Sequence, residues 1–394
     1  MQNGSGIRHT HSFRYHLKQL AIAAGAIVSL ASCGGKSSNS TSPPVCSLAS
    51  PGPASAQTKA RLGAYYFDGW SGPLSNFHYD NMVNGPYQGR EPLSGWQDNT
   101  SCAVEQQFAW AHEFGINFFV FDWYYDVAQN EYEGDNLNNA LQMTKSFSNR
   151  HGMQFTIQYI DDGSFIVPSS DWNTTITEWL GYMADPDYVR VNGKPVLFVY
   201  SMGHLEGSFT SAAIADSFNQ LRAAAQAQGL PGVYIVGGID SSYDLVTQTL
   251  NINDLSASAA DGYDAYSFYN IAITGNNPGV QPFSVISDAG QAVWAYVATK
   301  SPLPFIPVAV AGWDSRPVGP QPESNWWATR TPQDVSGLVS AAITWSVSNP
   351  SLRPEPVPTP PLVMIEAWNE LVKEPIWFRP SAMAQATVIP WLRC

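Results

Sequence analysis

Near the C-terminus the chain reads PLVMIEAWNELVKEPIWF over residues 361–378, with Glu366, Glu370 and Glu374 four residues apart. Two carboxyl groups facing one substrate can cleave a glycosidic bond. One gives a proton to the leaving oxygen while the other acts on the opposite side. Burial or a neighbouring like charge must raise the pKa of the first, so that it still holds its proton at working pH. Trp368, Leu371, Val372 and Trp377 are apolar neighbours able to bury Glu370 and Glu374. The same spacing also fits a solvated glutamate stripe along one helix face. The prolines upstream, Pro354, Pro356, Pro358, Pro360 and Pro361, forbid helix there and favour an extended chain. Leu362-Val363-Met364-Ile365 then reads as a short strand that ends at Glu366. Glu370 and Glu374 fall in the loop beyond, where Pro375 leaves room for no more than one helical turn over 369–374.

Such groups need a scaffold that brings distant segments to one cleft. Beyond residue 60, short apolar runs alternate with helix-like stretches. Strands are expected at Leu62–Phe67, Ile116–Phe121, Met153–Tyr159, Pro195–Tyr200, Val233–Ile239, Tyr263–Phe268, Phe305–Val310 and Leu362–Glu366. These runs are near-continuously apolar, as parallel strands covered on both faces must be. Helical character marks Ala103–Glu113, Asn136–Asn149, Ser211–Ala227 and Pro332–Ser346, with Thr331-Pro332 as a start signal and Gly229 as a stop. Eight strand–crossover units in roughly 335 residues predict an α/β fold, a single (β/α)8 TIM barrel over 61–394 with some long βα loops. An open doubly wound sheet would carry a glycine-rich first turn, and YYFDGWSGP is not one.

A barrel carries its chemistry at the C-terminal ends of its strands. The residues there are Asp68 and Trp70, Asp122 and Trp123, Tyr159 and Asp161 beside Asp162, and Asp240. Further on come Tyr269 and Asn270, then Trp313, Asp314 and Arg316, and finally Glu366, Asn369 and Glu370. Carboxylates and amides pair with hydroxyls, and Trp and Tyr pack on the apolar faces of sugar rings. The set suits a neutral polyhydroxylated ligand. It suits phosphorylated ligands poorly, because Arg316 is its one cation. Each position also has a structural reading. Asp68 and Asp122 can cap helices, one of Asp161 and Asp162 can be a turn residue, and Asp314 can hold its loop through Arg316. Of Trp123, Tyr124 and Tyr125, at least one is expected to line the mouth. Trp326 and Trp327 read either as a sugar platform or as packing.

Composition narrows the class further. Of 394 residues, 44% are hydrophobic and 13% charged, with 14 Trp, 18 Tyr and 18 Phe, which indicates a folded, aromatic-rich globule. The net charge of −13 leaves no clustered positive charge for a nucleic-acid partner. Arg8, Arg14 and Lys18 precede the apolar run Leu20–Val28, which is too short to span a bilayer. Leu30-Ala31-Ser32-Cys33 resembles a bacterial lipobox, which implies a signal peptide over 1–32 and a lipidated Cys33. Residues 33–60 are rich in Gly, Ser and Pro, as a flexible tether is. Export is therefore expected, with lipid anchoring to the cell envelope, at the outer membrane or on the periplasmic or cell surface. Cys46, Cys102 and Cys394 remain, with Cys46–Cys394 an attractive pair if the domain ends meet. Scattered histidines and the lack of CxxC, GxSxG or Walker-type spacing disfavour metal, serine-esterase and nucleotide chemistry.

EAWNELVKEPIWFRPS resembles the end-of-barrel signature of glycoside hydrolase family 99, the endo-α-mannosidases, and of its WbsX-like relatives. There an Asn-Glu-Trp/Leu motif precedes a second acid and a proline. GAYYFDGW and GINFFVFDWYY resemble that group's first two strands and YVRVNGKPVLFVY its fourth, so the likeness runs from Arg61 to about Pro380. The resemblance implies a cofactor-independent hydrolase of an α-linked polysaccharide, mannose-containing ones among them, acting with retention through an anhydro-sugar. Carried over, Glu370 is the base near the sugar 2-hydroxyl. The family's general acid stands three residues later, where this chain has Lys373, and Glu374 fits only with a one-residue insertion. The expected catalytic pair is thus Glu370 and Glu374, with the other strand-end residues as substrate contacts. Lys373 also supports an alternative, a non-catalytic glycan-binding lipoprotein on the same barrel. A transferase role conflicts with export past the cytoplasmic nucleotide-sugar pool.

Overall fold

The structure, a computed structural model, describes residues 59–70, 98–125, 137–147, 149–252, 255–275, 278–314, 316–317 and 326–370. It also describes Met82, Gly85, Tyr87, Arg90, Pro92 and Gly95. Contacts divide the chain into Met1–Val45 and Cys46–Cys394, and all described residues belong to the second unit.

Eight parallel strands form the barrel. They are β1 (Arg61–Tyr66), β2 (Phe118–Trp123), β3 (Gln154–Tyr159) and β4 (Lys194–Val199). Then follow β5 (Tyr234–Gly238), β6 (Ala265–Ser267), β7 (Val308–Val310) and β8 (Leu362–Glu366). Hydrogen bonding runs in the order β7–β8–β1–β2–β3–β4–β5–β6. The remaining seam, β6 to β7, is bridged where Tyr266 N donates to Pro304 O at 2.8 Å and Ile306 N to Tyr266 O at 2.9 Å. All eight expected strands are present, the last over the same residues as read from the sequence. Its proline-rich approach keeps the backbone extended until Leu362 joins β1 at Arg61.

Side chains alternate between the interior and the helical layer. The register Gly63↔Met364 and Gly63↔Phe118 sets these three residues on one interior level. A β-carbon on Gly63 would lie 2.2 Å from the Phe118 ring and 2.7 Å from Met364 Sδ, so any larger residue at this level would have to displace both side chains. Counting upward by two places Tyr65, Val120, Asp122 and Glu366 inside.

The outer layer contains α1 (Ser101–Glu113), α2 (Asn139–Thr144), α3 (Trp172–Met183), α4 (Met202–Ser208) and α5 (Ser211–Ala227). The four-residue α6 (Leu255–Ser258), α7 (Ser284–Lys300) and α8 (Pro332–Ser348) complete it. The Thr331-Pro332 start signal is realised as a capping box with Asp334, with proline in the first turn. Cys102 in the first turn of α1 is disulfide-bonded, and its partner lies outside the described residues. The half-exposed segments Ser241–Asp244 and Thr249–Ile252 pair as a hairpin, and Gly279–Pro282 pairs with Trp326–Thr329. Each is only four residues long, too short for its alternation to stand out, and the sequence did not point to them as strands.

Candidate active site

The segment after β8 is anchored residue by residue. Trp368 N donates to Tyr65 O at 2.8 Å, and its indole Nε1 donates to Gln107 Oε1 at 2.8 Å on α1. Asn369 clasps the end of β1: Phe67 N donates to Asn369 Oδ1 at 2.9 Å, and Asn369 Nδ2 donates to Phe67 O at 2.6 Å. Trp70 Nε1 donates to Asn369 O at 2.8 Å. These bonds extend the β8–β1 pairing past the last strand residue, so that Glu370 starts from a fixed backbone. Its Oε2 accepts from the Tyr269 hydroxyl at 2.7 Å.

Tyr269 stands just past β6 and packs on Tyr65 and Tyr200, with ring centroids 4.8 and 5.4 Å away. Tyr65 donates through its hydroxyl to Phe268 O at 3.2 Å. Burial raises the Tyr269 phenol well above its ordinary pKa, and the charges of Asp122, Glu370 and Glu366 raise it further. Burial likewise raises Tyr65, again with Asp122 and Glu366 nearby. Two neutral phenols and three carboxyl groups therefore meet at the C-terminal end of the barrel. Tyr269 is consequently a hydrogen-bond donor to Glu370, not an anion beside it. Tyr65 was not among the expected site residues. The period-two count from Gly63 was the signal that could have found it.

The structure separates the other strand-end residues by what they touch. Asp68 is buried and accepts from Ala140 N in the first turn of α2, so it caps that helix from outside. Asp161 accepts from Ser201 N at 2.9 Å and Asp240 from Gly203 N at 2.8 Å, both at the start of α4. A helix N-terminus favours negative charge, which explains why strand-end aspartates collect there. Trp123 and Tyr159, expected as substrate contacts, face the helical layer instead. Each follows an inward residue, Asp122 or Gln158, so alternation turns it outward onto Trp179 of α3. Trp123 Nε1 donates to Glu178 Oε1 at 3.0 Å, and the Tyr159 hydroxyl accepts from Val167 N at 2.7 Å. Tyr124 is buried, and half-buried Tyr125 donates to Asp171 Oδ2 at 2.5 Å.

Asp314 is fully buried and takes Arg90 as well as Arg316, whose Nε donates to its Oδ1 at 2.8 Å. The Arg316 guanidinium lies 3.9 Å from the Trp327 ring centroid. This is the loop-holding reading of Asp314 and Arg316, extended by a second arginine. Trp313 stacks on Trp326 with centroids 5.9 Å apart, and Asn270 borders the small apolar hollow beside them. Glu374 and Cys33 lie outside the described residues. Among the described residues, no group of three His, Cys, Asp or Glu is arranged to hold a metal. No helix among them is long and apolar enough to cross a membrane.

One pH effect follows from the capping. Burial holds the Asp161 carboxyl well above the ordinary carboxylate range, the Ser201 amide offsets this in part, and Asp240 and Asp162 add to it. Its Oδ2 meets no donor among the described residues. A raised folded-state pKa means that the native state binds the extra proton. This contribution is fully present below the unfolded-state pKa and is lost as pH rises through the folded value. Asp161→Asn is therefore expected to be more stable than wild type at pH 7, with the gap closing below about pH 4, the ordinary aspartate value. Urea midpoints across that range check it, and an Asn variant less stable at pH 7 would refute it.

Residues 165–382 match the family model described as glycosyltransferase WbsX, which is 218 of the 394 residues, or just over half of the chain. The match includes β4 to β8 and Glu370. Among solved structures, the family 99 endo-α-mannosidase from Bacteroides thetaiotaomicron is similar at 14% identity and a TM-score of 0.54. That match covers 86% of this chain and 96% of the other. A glycoside hydrolase-like protein is similar at 15% identity and a TM-score of 0.52, covering 83% and 89%. Both share the fold. No curated protein matches the chain.

Proposed function

Because the chain belongs to the WbsX glycosyltransferase family, we propose that it acts on glycans, as an exported glycoside hydrolase of an α-linked polysaccharide. The observation that carries the reading is Glu370. It sits at the barrel mouth, held by the Asn369 clasp and by a Tyr269 hydroxyl at 2.7 Å. A carboxylate aligned by a neutral donor can take a proton from a sugar hydroxyl as that oxygen attacks the anomeric carbon. A second carboxyl must protonate the leaving oxygen. Among the described residues, the helix starts at α2 and α4 that could cradle the phosphates of a nucleotide-sugar donor are taken by Asp68, Asp161 and Asp240. This favours water over a sugar nucleotide as the co-substrate. The shared fold with an endo-α-mannosidase supports mannose-containing chains as the first substrates to try.

The test is a polysaccharide digestion screen of wild type against Glu370→Gln, with reducing ends as the readout. Turnover by wild type and none by the variant is expected. Glycan binding by both proteins with turnover by neither would favour a binding module. Transfer from an activated sugar without release to water would favour a transferase. Export rests on the basic and apolar segment that ends at Cys33. Cys33→Ala is expected to move the protein from the membrane to the soluble fraction, and an unchanged distribution would remove the anchor.

A further inference from the structure

Gln158 stands at the C-terminal end of β3, where a barrel carries its chemistry, one residue before the strand stops at Tyr159. Tyr159 turns outward onto Trp179, so alternation points Gln158 into the barrel. Register fixes its place there from both sides: Gln158 pairs with Asp122 of β2 and with Phe198 of β4. The Phe198 ring meets Tyr65 edge-on at 6.1 Å, and Tyr65 packs at 4.8 Å on Tyr269, the donor to Glu370. The charge of Asp122 acts on both phenols. Gln158 therefore belongs to the wall of the same interior space as the Tyr65–Tyr269 pair.

Gln158 is 1% exposed, and its Oε1 meets no donor among the described residues. Other inward polar groups nearby close on the main chain. Thr156, two residues earlier on the same face, donates through Oγ1 to Val196 O at 2.6 Å. Ser267 Oγ donates to Ile306 O at 3.0 Å, and the Tyr65 hydroxyl donates to Phe268 O at 3.2 Å. Methionine or leucine would fill the Gln158 position with no polar atom to satisfy. An amide oxygen buried there gives up its hydration and gains no donor from the chain in return. A ligand hydroxyl supplies that donor. Asp122 and Glu366 face the same interior, so an anionic ligand is repelled and a neutral one is not. The amide also sets a donor beside its acceptor, which adjacent hydroxyls of a sugar ring match.

We propose that Gln158 is a substrate-binding residue that sets sugar specificity, its Oε1 accepting a hydroxyl of the sugar held beside the Tyr65–Tyr269 pair. The inference deepens the hydrolase reading above and rests on it. A sugar with a hydroxyl at that place satisfies the amide, and a sugar without one leaves the acceptor buried and bare. No bond is made or broken at Gln158, so its contribution is to recognition. Removing the amide should raise the stability of the free protein and weaken the complex. A side chain with only a structural role does not give these opposite signs.

The experiment uses Gln158→Met, which keeps the length of the side chain and removes both polar atoms. Its urea midpoint is expected to rise above that of wild type, while kcat/KM on an α-linked manno-oligosaccharide falls roughly 5- to 150-fold. Monodeoxy analogues of that oligosaccharide give the sharper comparison. For wild type, one analogue should be poorer than the parent by a similar factor. Gln158→Met should cleave that analogue and the parent alike, and Gln158→Leu must give the same pattern. Calorimetry on Glu370→Gln, with and without Gln158→Met, reads the contact without turnover, and the double variant should bind the oligosaccharide more weakly by a similar factor. Equal discrimination among the analogues by wild type and Gln158→Met would overturn the assignment. So would a lower midpoint with every analogue losing equally. If wild type cleaves nothing but Glu370→Gln binds the oligosaccharide, the hydrolase reading fails and the binding comparison decides Gln158 by itself. Neither turnover nor binding would sink both.

Discussion

Replacing Glu370 with glutamine is expected to reduce kcat on the cleaved polysaccharide by roughly 10²–10⁴-fold, the usual contribution of a positioned base. KM should change little. Glutamine has nearly the same shape, and its amide oxygen can still accept from the Tyr269 hydroxyl that now lies 2.7 Å from Glu370 Oε2. What it loses is basicity, which is needed in the transition state and not for binding. Tyr269→Phe removes one hydrogen bond to a charged group, worth about 1.5–3 kcal/mol, or roughly ten- to a hundredfold in rate. The order Glu370→Gln below Tyr269→Phe below wild type is therefore the signature to seek in reducing-end kinetics. A glutamine variant within tenfold of wild type would remove Glu370 from the chemistry.

The largest structural effect is expected at Gly238, the last residue of β5. A β-carbon there would lie 1.9 Å from Tyr200 O, 2.6 Å from Tyr200 C and 2.7 Å from Val199 O. All three atoms are backbone, so no rotamer change relieves the contact and the ends of β4 and β5 must part. Gly238→Ala should cost about 3 kcal/mol, the upper end of the range for overpacking. The effect should reach the site as well. Tyr200 packs on Tyr269 at 5.4 Å, and Tyr269 in turn holds Glu370. A lower urea midpoint together with a lower kcat is the expected pair of results. An unchanged midpoint would mean that the two strand ends stand further apart than described. Lower stability with unchanged kcat would show that Tyr200 does not transmit the displacement.

The sites differ in how far they could be read from residue order. Glu366 and Glu370 were legible because their assignment is local: prolines force an extended approach, an apolar β-branched run forms the strand, and the strand stops. Trp123 and Tyr159 were misplaced although the strand containing each was correctly drawn. The error was one of parity, since position at a strand end was read without counting which face the last residue takes. Counting from Asp122 and Gln158 would have turned both outward.

The aspartates are another matter. Asp68, Asp122, Asp161, Asp240 and Asp314 are chemically equivalent in the sequence, each a small carboxylate just past an apolar run. Their roles depend on what a distant segment brings alongside. Asp68 meets an amide 72 residues later in the chain, and Asp314 meets an arginine 224 residues earlier. Eight strands, their order of use and the loop that holds Glu370 follow from hydrophobic pattern and backbone stereochemistry, which act over a few residues. Which carboxylates cap helices and which face the barrel axis follows from closure of the sheet. Strand pairing alone brings β8 and β2 to the two sides of β1 and turns Asp122 and Glu366 to the barrel interior.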